Sequence, residues 1–350
     1  MAARKKQRAK RVEKFLMDSA PVVPLAALKK AFPLTLDGIA ERFKTSRVRA
    51  AEALSALGHM AIERGGVWNM LREPPKLEHE DHRHLLKSDA QGRYRVGIIS
   101  DTHYGSAYCR EDVCEDLYDW FAEEGVRNVY HAGNWIEGTA SFNKHELSAF
   151  GMQAQLDYFI ERYPQRKGVR TLYVAGDDHE GWWTQREGID IGRALEDAAH
   201  AAGRRDLVHL GYKEAFITLE HAKTKKHARM LIDHPGGGSA YADSYAAQKR
   251  VESAQSGEKP AVWVFGHWHK LGYFHPRGVH VLLAGCTKDL DTFGRKKGLR
   301  YDIGGMIVDM KQDEGGAIVE LTPRIRAYFD RGYHKGTAFG LDRKPKRRGQ

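Results

Sequence analysis

Short runs of apolar residues recur along the middle of the chain, and each run ends on side chains that can bind a metal ion. Segments with helical periodicity, such as Glu111 to Glu124 and Ser148 to Tyr163, separate the runs. This alternation predicts an α/β fold in which several strand ends share one edge. The runs and their motifs are Tyr94 to Ser100 before Asp101-Thr-His103, Asn128 to Ala132 before Gly133-Asn-Trp-Ile-Glu137, Thr171 to Ala175 before Gly176-Asp-Asp-His-Glu180, Ala228 to Asp233 before His234, and Ala261 to Phe265 before Gly266-His-Trp-His269.

The polar residues at these predicted strand ends form a candidate metal site. Carboxylate, carboxamide and imidazole groups are oxygen and nitrogen donors, and no thiolate accompanies them. Such a set suits two divalent ions, Mn²⁺, Fe²⁺ or Zn²⁺, better than Ca²⁺. A single Asp-x-His or His-x-His motif is weak evidence, so the prediction depends on five motifs in series. The predicted ligands are Asp101, His103, Asn134, Asp178, His234, His267 and His269.

The order of these motifs resembles the signature of the calcineurin-like metallophosphoesterases, from about Arg93 to about Leu321. That signature reads Asp-x-His, Gly-Asp-x-x-Asp/Glu, Gly-Asn-His-Asp/Glu, His and Gly-His-x-His. The resemblance implies a four-layer α/β/β/α sandwich with two metal ions, Mn²⁺ ahead of Fe²⁺, Zn²⁺ or Mg²⁺. It also implies that His179 protonates the leaving oxygen and that Glu180 holds His179. By position, one ion would be bound by Asp101, His103 and His269, the other by Asp178, His234 and His267, with Asn134 bridging.

Two positions depart from the family's pattern. The bridging aspartate of the family is here Asn134, and its metal-binding asparagine is here Asp178, preceded by an additional Asp177. A neutral carboxamide is a poor bridge between two cations, but the carboxylate lost at one strand end returns at the next, so the ligand charge is unchanged. We therefore expect a reciprocal exchange in which Asp178 or Asp177 takes over the bridge. The alternative is a weakened single-metal site or an inactive relic.

Residues 15–72 predict a small helical domain ahead of the main one. Apolar residues follow helical spacing in three bursts between Pro24 and Leu57, and residues 61–70 read as a hairpin turning at two glycines. This order resembles the winged helix-turn-helix family, which implies DNA binding through the third helix and the hairpin. A protein-docking module is the alternative, since Glu52 on that helix would repel phosphate. The residues expected at the DNA are Arg47, Arg49 and Arg64.

The net charge of +10 over 350 residues is confined to the two ends of the chain. Residues 1–14 carry seven basic side chains and one acidic, and residues 341–350 carry five and one. Basic arms gain affinity for a polyanion by releasing counterions, although solubilising tails have the same composition. We expect a basic tail over 1–14, a linker over 73–92 with His79, His82 and His84, a phosphoesterase domain over 93–325 and a basic tail over 326–350.

Composition argues against a membrane-spanning protein and against a protein built on a disulfide framework or a cysteine zinc site. No run approaches the ~18 apolar residues of a transmembrane helix. The three cysteines, Cys109, Cys114 and Cys286, lack the spacing of a zinc site or a disulfide framework. We therefore expect a cytoplasmic protein with no membrane partner.

Two predicted loops beside the metal motifs mix aromatic and basic residues. Flat rings and cations together suit the bases and phosphates of single strands. We therefore expect a DNA nuclease that resembles the DNA-repair exonuclease branch and, in size, phage-borne members, with a homodimer or a partner ATPase as further associations. The alternatives are a phosphomonoesterase or small-molecule phosphodiesterase, and a DNA-binding regulator on an inactive phosphoesterase. The loop residues are Lys144, Trp182, Trp183 and Arg186, and the alternative for the tryptophans is that they anchor the loop by packing on the sheet. A second basic stretch, either a phosphate-tracking surface or a solvated loop, contains Lys288, Arg295, Lys296, Lys297 and Arg300.

Overall fold

A computed structural model describes residues 21–57, 61–70, 84–238, 240, 242–255 and 257–331, without the side chains of Ile62 and Arg64. The chain divides into two compact units, residues 1–77 and 78–350. The predicted tail 1–14, most of the tail 326–350, and His79 and His82 of the predicted linker lie outside the described residues. Among the helices that are described, none has the length and apolar character needed to cross a membrane.

The described part of the first unit contains short helices and a small antiparallel sheet. Ser46 caps the third helix, because its Oγ accepts the backbone N–H of Arg49 at 3.2 Å. Gly65 and Gly66 turn the hairpin with φ values of 59° and 80°, a left-handed pair typical of tight hairpins. The helices and the hairpin lie where the sequence predicts them, whereas β1, which pairs with β3, was not predicted. The elements are α1 (Leu25–Lys29), β1 (Leu34–Thr35), α2 (Leu36–Arg42), α3 (Arg47–Leu57), β2 (Ala61–Arg64) and β3 (Val67–Met70).

The second unit is built on two six-stranded sheets. The first sheet has four parallel neighbours, so their carboxyl ends lie at one edge. Two further strands follow antiparallel on the side of β5. The strands, in spatial order, are β15 (Ile318–Tyr328), β14 (Ile303–Gln312), β5 (Arg93–Ile99), β6 (Asn128–His131), β7 (Arg170–Ala175) and β8 (Leu207–Tyr212).

The second sheet places the carboxyl ends of two parallel strands, β10 and β11, side by side. Its edge strand β4 corrects the predicted linker. The charges and histidines of this segment predict a solvated linker. The segment instead pairs with β9, and its side chains alternate between half-buried and exposed, as at a sheet edge. The strands, in spatial order, are β12 (Leu271–Phe274), β13 (His280–Ala284), β11 (Val262–Phe265), β10 (His227–Asp233), β9 (Glu214–Glu220) and β4 (His84–Lys87).

Three hydrophobic clusters among the described residues hold the strands and helices of the second unit together. Ile98, Leu172 and Ile232 belong to a cluster between the two sheets. Phe159 helps to pack helices on the first sheet, and Val251 packs a helix on the second. The α/β class predicted from the sequence is confirmed, with helices and two multi-stranded sheets. The helices are α4 (Glu111–Glu123), α5 (Met152–Arg162), α6 (Gly181–Glu187), α7 (Ile191–Ala201), α8 (Tyr245–Ser253) and α9 (Thr292–Lys297).

The cluster between the sheets can be tested at Leu172, which is 0% exposed in β7. We expect Leu172→Ala to lower the free energy of unfolding by about 2–5 kcal/mol, through lost burial and a new cavity. Val319 in β15 is 51% exposed, so Val319→Ala should change the free energy of unfolding by less than about 0.5 kcal/mol. Urea unfolding followed by circular dichroism measures both, and equal losses in the two variants would contradict this core.

Candidate metal centre

The predicted ligands lie immediately after strands β5, β6, β7, β10 and β11. The backbone turns sharply there, and six residues have φ between 50° and 72°, in the left-handed region that residues other than glycine rarely adopt. Such backbone costs of order 1–3 kcal/mol per residue and persists only where the surrounding structure imposes it. The six residues are Asp101, His103, Asn134, His179, His267 and His269.

Asp101, His103 and His269 form the first ligand group. The Nε2 atoms of His103 and His269 lie 3.3 Å apart. Asp101 Oδ1 lies 3.9 Å from His103 Nε2 and 3.2 Å from His269 Nε2. All three side chains are buried. Because the carboxylate oxygen and the imidazole nitrogens are shielded from water at these distances, the group has the donors and the spacing of a divalent-cation site.

Asp178, His234 and His267 form the second ligand group. Asp178 Oδ1 lies 3.3 Å from His234 Nε2, and Asp178 Oδ2 lies 3.4 Å from His267 Nδ1. The two groups adjoin, because Asp101 Oδ2 accepts the backbone N–H of His267 at 2.9 Å. Burial alone would lower the pKa of His234, but Asp178 and Asp101 raise it to about 10. A cation that binds His234 therefore displaces a proton, so its affinity should fall as the pH falls.

Contacts at the outer ring nitrogens of three of the four candidate ligand histidines determine which nitrogen faces a ligand group. His234 Nδ1 and His267 Nε2 donate to backbone carbonyl oxygens at 2.5 and 2.8 Å. His103 Nδ1 lies 2.9 Å from the Glu137 carboxylate. In each ring the other nitrogen faces the ligand group, which is how metal-binding histidines are held in proteins.

Asn134 lies in the same cleft, and its Oδ1 has no hydrogen-bond partner among the described residues although Asn134 is only 1% exposed. Gly176 permits this position, because a Cβ there would overlap Asn134 Oδ1. Unpaired buried polar atoms cost about 1–3 kcal/mol each, so several at one centre indicate that cations belong between them. The residues present thus fit divalent ions. Within the described part of the chain, four further ligand atoms make ion-pair contacts but no hydrogen bond: Asp101 Oδ1, Asp178 Oδ1, His234 Nε2 and His267 Nδ1.

Asp177, the alternative bridging residue, is engaged elsewhere. Its Oδ2 forms an ion pair with Lys213 Nζ at 2.6 Å, and Asp177 belongs to neither ligand group. Of the two adjacent aspartates, Asp178 is therefore the one that brings a carboxylate to the centre. It lines the same cleft as Asn134, as a reciprocal exchange between these two positions requires.

The structure corrects the predicted partner of His179. His179 Nδ1 donates to the backbone carbonyl oxygen of Glu137 at 2.7 Å. Glu180 Oε1 instead accepts the backbone N–H groups of Asn134 and Gly176 at 2.8 and 2.7 Å. Glu180 therefore ties together the segments that follow β6 and β7. Burial raises the pKa of Glu180 to about 8.

Glu137, to which the sequence assigned no role, supports the first ligand group from behind. It is 2% exposed, and its carboxylate lies 2.9 Å from both His103 Nδ1 and Lys288 Nζ. Lys288 also lies 2.7 Å from Asp291 and is buried, whereas the sequence placed it in an exposed basic stretch. Burial alone would raise the pKa of Glu137, but Lys288 and His103 hold it well below its usual range. Glu137 is therefore an ionised acceptor that orients His103.

The cleft at this centre has a volume of about 620 Å³ and an aromatic rim. Trp182 stacks on His179 with ring centroids 4.9 Å apart, and Lys144 is exposed. Arg186 Nη2 donates to a backbone carbonyl oxygen at 2.9 Å. Trp183 corrects the prediction, because it is 5% exposed and packs in the cluster on the first sheet. Its buried ring is not available to stack on a base.

Two of the arginines predicted to contact DNA, Arg47 and Arg49, are paired with carboxylates. Arg47 Nε lies 3.1 Å from Asp37, and Arg49 Nη1 lies 2.9 Å from Glu52. Ion pairs that reach solvent contribute about 0–1 kcal/mol, so a phosphate group can replace either carboxylate at small cost. The side chain of Arg64, the third predicted contact, lies outside the described part of the structure.

Comparisons with known proteins give structural likenesses only. The chain matches no protein-family model and no curated protein. It is similar to a novel archaeal phosphodiesterase, at 16% identity over 67% of this chain and 100% of that one, with a TM-score of 0.35. A predicted phosphoesterase from Streptococcus pneumoniae is 13% identical over 67% and 98%, with a TM-score of 0.30. A 5′-nucleotidase precursor from Thermus thermophilus is 13% identical over 67% and 54%, with a TM-score of 0.33. Likenesses at this level assign no activity to the chain.

Metal titration tests the exchange between Asn134 and Asp178. If Asp178 supplies the carboxylate that Asn134 lacks, the wild-type protein binds two Mn²⁺ per chain, and Asn134→Asp leaves that number unchanged. Asp178→Asn should weaken binding by more than about 10-fold. Isothermal titration calorimetry of chelator-treated protein measures these values, with Asp177→Asn as the matched control. Two ions in Asn134→Asp against one or none in the wild type would contradict the exchange.

Glu180 gives a prediction about pH. Its pKa rises from 4.5 to about 8 on folding, so between these values the unfolded chain releases a proton that the folded chain keeps. Stability therefore falls as the pH rises through this window. Glu180→Gln retains an oxygen acceptor and cannot ionise, so it should match the wild type near the low end of the window and exceed it by roughly 1–4 kcal/mol at the high end. Urea unfolding in chelator measures this, and a difference independent of pH would refute it.

Proposed function

We propose that the protein is a metal-dependent phosphoesterase that hydrolyses phosphodiester bonds of DNA. The observation that carries the proposal is the convergence of two Asp/His ligand groups and Asn134 at five strand ends. The order of the motifs, which resembles that of the calcineurin-like metallophosphoesterases, extends the proposal to their four-layer α/β/β/α arrangement. Two divalent ions, Mn²⁺ first, suit this set of oxygen and nitrogen donors.

The two Asp/His ligand groups would hold two divalent ions, which would supply Lewis-acid polarisation of a phosphoryl oxygen and a lowered pKa for an attacking water. The residues of the chain provide orientation and proton transfer. Glu137 holds His103 through its carboxylate and His179 through its carbonyl oxygen. The bond at His179 Nδ1 leaves Nε2 for the substrate, and His179 lines the cleft. When protonated, His179 can donate its Nε2 proton to the leaving oxygen as a general acid.

Three features favour a nucleic acid over a small ester. Trp182 offers a half-buried ring beside His179, and bases stack on such rings with little dependence on sequence. The ends of the chain are strongly basic, and basic arms bind phosphates through counterion release. The order of elements in the first unit resembles a winged helix-turn-helix, in which Arg47 and Arg49 would contact the duplex.

Cleavage of end-labelled single- and double-stranded DNA with Mn²⁺, Mg²⁺, Zn²⁺ or chelator tests the proposal. We expect cleavage that requires a metal and that falls by about 100-fold or more in His269→Ala, since a ligand should matter at least as much as the groups that orient ligands. His275→Ala is the matched control, because His275 is exposed and outside the cleft.

Other outcomes would favour the alternatives. Phosphate release from monoesters without DNA cleavage would replace the nuclease by a phosphomonoesterase. DNA binding without hydrolysis of either substrate class would favour a DNA-binding regulator built on an inactive phosphoesterase. The neutral carboxamide of Asn134 at the bridging position is the basis of this alternative.

A further inference from the structure

Two exposed phenylalanines lie side by side on the rim of the cleft. Phe142, in the segment after β6, is 60% exposed, and Phe293, in α9, is 46% exposed. Their ring centroids are 6.0 Å apart, although 151 residues separate them in sequence. Both line the cleft with the candidate ligands. Two separate segments thus bring large apolar rings together without burying them.

The aromatic surface continues to the catalytic groups. The Phe142 and Trp182 rings meet edge to face with centroids 5.8 Å apart, and Trp182 stacks on His179 at 4.9 Å. A continuous row of rings therefore extends from the proposed general acid to the outer rim. A flat ring that joined this row would lie within reach of a phosphate group held at the metal centre.

Positive charge accompanies the outer end of the row. Lys297 Nζ lies 6.0 Å from the centroid of Phe293, within the range of a cation–π contact. Lys297 is exposed, and Arg295 and Lys296 precede it on the same helix. An apolar ligand such as a lipid tail would gain nothing from these cations. A nucleotide, in which a flat base is linked to phosphates, matches both the rings and the charge.

We propose that Phe142, Trp182 and Phe293 form a base-stacking platform that binds a nucleobase next to the scissile phosphate. This inference rests on the proposed function and names the part of the substrate that the cleft recognises. Stacking depends on the flat face of any base, so the platform favours splayed single strands over duplex DNA, whose bases are already stacked.

Two single-stranded substrates of equal length test the platform: oligothymidine, and an oligomer of abasic tetrahydrofuran units with the same phosphates. We expect Phe142→Ala and Phe293→Ala to lower kcat/KM on oligothymidine by about 5- to 100-fold and to leave the abasic oligomer unaffected. Phe150→Ala is the matched control, because Phe150 is 63% exposed and does not line the cleft. Equal losses on both oligomers, or no loss on either, would overturn the platform.

Equilibrium dialysis of thymidine monophosphate separates this inference from the nuclease proposal. We expect the two variants to weaken nucleotide binding by a similar factor and to leave the binding of inorganic phosphate unchanged. Nucleotide binding that depends on Phe142 without cleavage of either oligomer would support the platform and refute the nuclease. Cleavage of both oligomers at one rate by the wild type would support the nuclease and refute the platform, and absence of both binding and cleavage would refute the two together.

Discussion

Buried ligand atoms that face one another at short distances are the constraint on which the second unit depends. Asp101, His103 and His269 meet out of contact with water, where unscreened charges and lone pairs are costly. The fold compensates for this cost, because a hydrophobic cluster joins the two sheets and the left-handed backbone directs the ligand side chains inward. Strain of this kind is retained where surrounding packing over-determines it, and here it coincides with the predicted ligands.

Two buried glutamates beside this centre have pKa values shifted in opposite directions, and their neighbours explain why. Glu137 has the buried cation Lys288 at 2.9 Å, so its carboxylate is ionised and can orient His103. Glu180 accepts two backbone N–H groups, and burial outweighs the opposing effect of His234, so the pKa of Glu180 rises to about 8. The first carboxyl therefore acts through charge, whereas the second acts through its shape and hydrogen bonds. This difference follows the general rule that burial disfavours the charged form unless an opposite charge is close.

The candidate ligand positions are visible in the sequence because strand ends are encoded locally. A β-prone run followed by Asp-x-His or His-x-His is visible in one short window, and the structure brings all seven of these residues to one region. The pairing of Glu137 with Lys288 was not visible, because it joins positions 151 residues apart. Neither was the difference between Trp182 and Trp183, since adjacent residues on one helix face different surroundings. Exposure of Phe142 and Phe293 likewise depends on how distant segments pack, which apolar character alone does not indicate.

The first ligand group joins positions that are far apart in the chain and belong to different sheets. His103 follows β5 of the first sheet and His269 follows β11 of the second, 166 positions later in the chain. An ion held by both histidines is therefore a crosslink between the sheets. During synthesis on a ribosome, no chain that ends before His269 can complete the group. An ion can therefore be held by this group only after β5 and β11 have both been made and have met. Chelation of the folded protein should loosen the docking of the two sheets as well as remove the chemistry.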